Sequence, residues 1–470
     1  MEEQKYKLVY NQIDFIIIAP KFRISFSYTD EKALSFVREY ILRLLILCPC
    51  RPEEIAKYFA FTQYETENAL NDLANKKWIK YLSDGNIGLT TAGRKLFKHN
   101  TLAPKLIDLR TKEINLYMEL INENFIDKKH LSNNENAISL NISSEIFAFR
   151  SKYAERNFQQ QFNELKDQGK LILYSDYGHL YKIDGVEVFN NKYFRFTQFF
   201  SLDKDTGNQL GRNDIHTLNH SEKIVHQVTN ILEKYKHEYK NNVQDIISSM
   251  EKLNDIETLK IITPKFNFFM LEKINQKSPQ DTYFVGQTYH QDDIQKLLKN
   301  SMDELKKNIS QSPKILYWMG VENIYWGAQE KFSEQINLFY NNAFCNQNKK
   351  EYHLYNFRLY LPIKNSKYKN TKKNLLPSDK KQFKNNFYAF KGGFLNNNTE
   401  IIVFENQFAV VCYHAYLDSY DVPLPVGFIT TRIEKVNHIF QLVQDYLKEP
   451  VVDKEESSPI KDFGKIFSNN

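Results

Sequence analysis

Two β-rich apolar runs, Ile401–Phe404 and Phe408–Tyr413, are separated only by Glu405, Asn406 and Gln407. No other stretch restricts the fold of this chain as strongly, because runs of this composition form strands. The flanking pattern extends the constraint. Thr282–Thr288 reads as a strand, Gln291–Ile309 as a helix and Lys314–Met319 as a second strand. Downstream, Val426–Thr430 is a strand leading into the amphipathic helix Arg432–Leu447.

This order of elements resembles one repeat of the phospholipase D superfamily, whose members carry H-x-K-x4-D at the stretch Asn398–His414. The corresponding positions here are Asn398, Glu400 and Glu405. The resemblance therefore implies the fold without its usual chemistry. That chemistry needs a histidine nucleophile, a lysine on the phosphoryl oxygens and an acid to orient the histidine, with two such sets facing each other from tandem repeats or a dimer. None of the eleven histidines has lysine two positions on. Asn398 cannot replace a nucleophile, and Glu400 puts negative charge where a phosphate should sit. His414, near where the family has G-S-x-N, and Glu405 are the only substitutes to consider, as a His–Glu acid–base couple. The plainer reading of a lone histidine at a strand end is structural. Asp418, Asp421 and Asp292-Asp293 lack metal-ligand spacing, so neither metal nor cofactor is expected.

Charge is unevenly spread. Lys364, Lys367, Lys369, Lys372, Lys373, Lys380, Lys381, Lys384 and Lys391 face one acid, Asp379, so a net charge of +6 leaves the rest of the chain slightly acidic. Tyr368, Phe383, Phe387, Tyr388 and Phe390 interleave with these lysines. Lysines neutralise phosphates by counterion release and aromatics stack on bases, so this loop is expected to contact DNA or RNA beside the cleft of the phospholipase D-like unit. The bland alternative is a solvated insertion. An aromatic content of 14% argues against extensive disorder, and no phosphate-cradling glycine motif is present. Four cysteines do not make a disulfide framework, and Cys48-Pro-Cys50 has no second pair at metal-ligand spacing, so it reads as a helix end. No apolar run reaches membrane-spanning length and no leader pattern opens the chain, which leads us to expect a cytoplasmic protein without membrane contact.

Residues 1–29 read as two or three short strands around Ala19-Pro20. Asp30 is expected to cap a helix carrying Leu34, Val37, Ile41, Leu44 and Leu45 on one face. Pro52–Tyr58 is a short helix, Thr62–Glu65 a capping box opening a third, and Trp78–Leu82 with Ile87–Thr90 a hairpin. Three helices and a hairpin over 30–100 make a winged helix, and Gly88–Phe97 resembles the L-T-x-x-G-R close of MarR-like winged helices. Its third helix offers Gln63, Tyr64, Glu65, Glu67, Asn68 and Asn71, with no base before Lys76. Two glutamates oppose a phosphate backbone, so a docking role is expected for this unit.

The pattern recurs over 107–187: a helix Lys112–Asn124, short and long helices at Ser144–Phe149 and Lys152–Asp167, and a hairpin Lys170–Tyr174/His179–Ile183. As a second winged helix it would present Arg150, Lys152, Arg156, Gln159 and Gln160 to phosphates and base edges. Residues 188–256 read as a connector with a strand-like run Tyr193–Phe200 and a long helical stretch over 214–253. Residues 257–448 form the phospholipase D-like unit, and 449–470 a flexible tail. The chain is thus an α+β multidomain protein with winged-helix units followed by a phospholipase D-like α/β domain. The expected function is a nucleic-acid-binding, catalytically silent adaptor or regulatory subunit of a bacterial anti-phage or restriction system. Its expected partners are DNA or RNA, proteins of the same system, and a second copy through the phospholipase D-like unit or the 214–253 helix. The alternatives are an active nuclease or phosphodiesterase with a rearranged site, and a winged-helix regulator whose C-terminal domain senses a ligand.

Overall fold

The computed structural model describes residues 6–97, 103–133, 136–174, 178–211, 221–238, 242–263, 265–278, 280–308, 312–347, 350–367, 381–451 and 458–467. It combines helices with two large sheets, an α+β arrangement. The first sheet is built on one strand, β1 (Lys7–Ala33), 27 residues long. At about 3.3 Å per residue such a strand reaches at most on the order of 90 Å. Between β1 and its neighbour β4 (Lys105–Met118) the chain inserts a compact unit. This unit comprises α1 (Phe36–Leu47), α2 (Pro52–Phe59), α3 (Gln63–Asn75), β2 (Ile79–Tyr81), β3 (Ile87–Leu89) and α4 (Thr91–Lys95). Its second and third helices and its hairpin fall where apolar spacing and capping residues put them, while α1 begins only at Phe36. Thr62 Oγ1 accepts from the Glu65 N–H, and the Glu65 carboxylate accepts from the Thr62 N–H. Ile41, Leu42, Leu45, Ile55, Leu70, Leu73 and Ile87 form a separate small core. The two thiols at the end of α1 are free, with Cys50 buried and its sulfur 3.7 Å from that of Cys48.

Several expectations for the first two hundred residues are corrected. The short strands of 1–29 are one continuous strand, and Asp30 does not cap a helix. It is buried in β1 and paired with Arg110 at 2.8 Å. The helix expected over Lys112–Asn124 is instead the end of strand β4 and a turn after Met118, with Leu116 and Met118 facing the core. Among the described residues, no second unit of three helices and a hairpin forms over 107–187. Small strands β5 (Phe125–Ile126), β6 (Leu131–Ser132) and β7 (Ile138–Ser139) lead instead to α5 (Ser144–Ala148) and α6 (Arg150–Asp167). The second half of the expected hairpin and the strand-like run Tyr193–Phe200 of the expected connector are both part of β8 (His179–Asp203), which pairs with β1 from Lys7↔Asp203 to Thr29↔His179. The far half of this sheet is backed by α6, whose Ala154, Phe158, Phe162 and Leu165 meet Phe22, Ile24, Phe26 and Tyr28. The physical reason for the misreading is that β1 and β8 find each other across 150 residues or more, and no local period announces that pairing.

The helical stretch after β8 is divided into α7 (Glu222–Glu238) and α8 (Val243–Lys252), followed by α9 (Glu257–Ile262) and α10 (Phe268–Lys277). The first part of the long helix predicted over 214–253, before Ser221, lies outside the described residues. Next come β9 (Asp281–Val285), α11 (Asp292–Leu305), β10 (Lys314–Met319), α12 (Glu330–Asn341), the hairpin β11 (Phe344–Gln347)/β12 (Lys350–His353), β13 (Tyr355–Ile363) and β14 (Phe387–Lys391). The chain closes with β15 (Thr399–Phe404), β16 (Phe408–Ala415), β17 (Leu424–Thr430), α13 (Ile433–Lys448) and β18 (Asp462–Lys465). The eight-stranded sheet has the order β18-β14-β13-β10-β15-β16-β17-β9. β10, β13 and β14 are parallel to one another, and β15, β16, β17 and β9 alternate in direction. Residues 462–465 are therefore not tail but an edge strand on β14, with Phe463 and Ile466 in the core.

The central strands are buried on both faces, which is why their sequences run apolar without alternation. One face carries Ile402, Phe404, Val410 and Trp318 against α11 and α12. The other carries Ile401, Val403, Val411, Tyr413 and Phe428 against α8, α9 and α13. That second core is continuous with Tyr10, Ile13, Phe15 and Phe200, so the near half of the first sheet and the C-terminal sheet share one interior.

Candidate functional site

The strand directions bring one set of termini to a single edge of the C-terminal sheet. β9, β10, β13, β14 and β16 end there, and β15 and β17 begin there. Asn398, Glu400 and His414 all lie at this edge. Glu400 sits directly opposite Cys412 across the β15–β16 ladder. Cys412 and His414 are two apart on β16 and share a face, because strand side chains alternate.

Glu400 is fully buried and His414 only 1% exposed. Glu400 Oε1 accepts from the indole N–H of Trp318 at 2.6 Å and from the hydroxyl of Thr288 at 2.8 Å. Its Oε2 stands 3.5 Å from His414 Nε2. His414 Nδ1 faces the side-chain amide of Asn323 at 3.4 Å, and the His414 N–H donates to the Asn398 carbonyl at 2.8 Å. Burial and the nearby Glu400 charge push the Cys412 thiol well above its usual range. Burial does the same to the Tyr289 phenol, with Glu400 adding to it.

The couple suggested by proximity in sequence is not the one formed. Glu405 lies at the opposite end of the β15–β16 hairpin, where its carboxylate accepts from the Ile315 N–H at 3.0 Å and its own N–H donates to the Ile315 carbonyl. His414 is paired with Glu400 instead. Register explains this: in a hairpin the residue opposite a strand's end is the partner strand's beginning, not the turn. Trp318, Thr288 and Asn323 were not legible as site residues, since each comes from a different segment. The sequence analysis did not pair Cys412 with His414, although their spacing of two within one strand run is a signal that could have done so.

This edge is closed by the first sheet. Asp14 N–H donates to the Ala328 carbonyl at 2.9 Å, Asn11 Nδ2 to Pro423 O at 2.9 Å, and Gln287 Nε2 to Asn11 Oδ1 at 3.2 Å. Asp14 also pairs with Arg195, both nearly buried, and accepts from Thr197 Oγ1 at 2.7 Å. β1 from Tyr10 to Phe15 thus crosses the strand ends. Beside it lies a cavity of about 900 Å³, lined by Asn230, Lys234, Glu322, Asn323, Trp326 and Pro362 among others.

The lysine-rich stretch is a crossover from the end of β13 to the start of β14, so it links opposite edges of the sheet. Lys364, Lys367 and Lys391 lie at the site edge, and Lys381 and Lys384 at the far edge. Lys369, Lys372, Lys373 and Lys380 lie outside the described residues, as does Tyr368. The accompanying aromatics are not free to stack on bases: Phe383, Phe387 and Phe390 are each 1% exposed, and Tyr388 stacks on Tyr360. On α6, Lys152, Arg156, Gln159 and Gln160 lie on the face away from the sheet and are exposed. Arg150 is half-buried with its guanidinium 4.5 Å over Phe147, and Arg156 is paired with Glu123. No helix among the described residues is long and apolar enough to cross a membrane. No family model matches this chain, and neither the curated proteins nor the solved structures contain a match.

Proposed function

We propose that this chain is a catalytically silent, nucleic-acid-binding adaptor or regulatory subunit with a phospholipase D-like C-terminal domain and an inserted winged helix, acting in a bacterial defence system of the anti-phage or restriction kind. The observation that carries the reading is the closure of the strand-end edge. The acid–histidine pair there, Glu400 and His414, is enclosed, and its carboxylate is occupied by Trp318 and Thr288. A phosphodiester needs an exposed nucleophile and cationic ligands for its oxygens. Among the described residues, this edge offers neither in its interior. The element order of residues 281–448 supports the fold assignment, and three helices with a hairpin between Phe36 and Leu89 support the winged helix. Lys364, Lys367 and Lys391 at the rim, with the exposed polar face of α6, support contact with a polyanion.

The test is direct. The full chain is incubated with labelled single- and double-stranded DNA in EDTA or Mg²⁺, and both cutting and retention are followed. Retention without cleavage supports the adaptor. Turnover that disappears in His414→Ala overturns it in favour of a rearranged nuclease. The cavity beside Asn323 favours a second reading, a regulator that senses a small ligand. It is distinguished by a DNA affinity that shifts when a small molecule fills that cavity.

A further inference from the structure

Glu400, Cys412 and His414 each point one potential ligand atom into the same space, a carboxylate oxygen, a sulfur and an imidazole nitrogen all within 4.8 Å of one another. The three side chains are sealed from solvent. Glu400 Oε1 is occupied, but its Oε2 has no hydrogen-bond partner, and neither does His414 Nε2. The Asn323 amide beside Nδ1 turns the ring so that Nε2 faces the carboxylate. Their contact at 3.5 Å is too long for a good hydrogen bond, and natural interiors rarely leave buried polar atoms so poorly satisfied.

We propose that Glu400, Cys412 and His414 bind a divalent ion of the zinc class as a buried structural site at the end of the β15–β16 hairpin. The charge count favours it. A carboxylate, a thiolate and a neutral imidazole together carry two negative charges, which one dication cancels. Without the ion, the fully buried carboxylate is hydrogen-bonded only at Oε1, by Trp318 and Thr288. The donor set selects the metal: sulfur and imidazole suit zinc, whereas magnesium and calcium take oxygen ligands. Three protein donors leave one tetrahedral position for a water. Asn323, next to the imidazole, stands where a residue orienting a metal-bound histidine belongs. The ion would join β15 and β16 beneath the segment where β1 crosses, a role independent of whether the chain binds nucleic acid.

The test uses the full-length chain produced with zinc supplied. It is expected to hold about one zinc per chain through native dialysis against EDTA and to release it on unfolding, as measured by elemental mass spectrometry. Refolded with cobalt, it should show tetrahedral ligand-field bands together with a thiolate-to-cobalt charge-transfer band. Cys412→Ala should lose the charge-transfer band, and His414→Ala should lose metal. Circular dichroism reports whether each variant is folded. The wild-type measurements stand without the variants: a wild-type chain that takes up neither zinc nor cobalt on refolding overturns the site. So does a Cys412→Ala chain that keeps the wild-type metal content.

Discussion

The indole N–H of Trp318 donates to Glu400 Oε1 at 2.6 Å, joining β10 to β15 in the interior of the C-terminal sheet. Both residues are fully buried, so neither group can exchange its partner for water. Trp318→Phe should therefore destabilise the chain by about 1–3 kcal/mol, the cost of leaving a buried acceptor short of a donor, on top of small packing losses. Glu400→Gln keeps an oxygen for Trp318 and Thr288 while removing the buried charge, and should cost less. Urea unfolding of both variants in EDTA checks the order. Equal losses would show that the indole bond contributes little.

Asp14 and Arg195 form an ion pair where β1 crosses the strand ends, with side chains 7% and 9% exposed. Asp14 also accepts from Thr197 and from the Glu330 N–H. Removing one member of such a buried pair costs about 3–5 kcal/mol, because the other charge is left uncompensated. Asp14→Ala should thus unfold far more readily than wild type, and should expose the edge around Glu400 and His414 to hydrogen exchange. Asp14→Ala with Arg195→Met should recover part of the loss. A double variant worse than the sum of the singles would contradict this account.

Asp255 is 2% exposed and accepts from the hydroxyl and N–H of Thr258 at 2.6 and 3.3 Å. Burial raises its pKa above the usual carboxylate value, against the opposing effect of Thr258 and Lys435. The folded chain therefore holds this proton to higher pH than the unfolded chain. The stabilisation is complete below the ordinary carboxylate pKa and is lost as pH rises through the folded value. Asp255→Asn keeps one acceptor oxygen for Thr258 and does not titrate. As pH rises above the ordinary carboxylate range, wild-type stability should fall relative to the variant in denaturant melts. A gap that is flat or runs the other way would rule out Asp255 as a source of pH dependence.

If the lysine crossover grips a polyanion, replacing Lys372, Lys373, Lys380 and Lys381 with Ser should weaken DNA binding uniformly across sequences. The logarithmic salt slope should shrink by up to about 3–4, near 0.9 for each phosphate no longer neutralised. Fluorescence anisotropy over a salt series measures both quantities. An unchanged affinity and slope would take this crossover out of the interface and leave α6 as the candidate surface.

Local chemistry made much of the fold readable. The capping box at Thr62, the proline opening α2, and the turn between β2 and β3 lie within a few residues of what they control. The apolar runs at 401–404 and 408–413 could only be interior strands, and they are. Tertiary structure alone decided which acid meets His414, since the hairpin register selects Glu400 and carries Glu405 to the far end. It also decided that Lys112–Met118 extends as strand. Ile114, Leu116 and Met118 alternate well enough for a sheet, while Ile114 and Tyr117 suit a helix, and only the distant partner β1 breaks the tie. The closing of the site edge by Tyr10–Phe15 was equally out of reach. Pairings between segments hundreds of residues apart leave no periodic trace in either one, because each side chain's role is set by a neighbour that the chain does not place beside it.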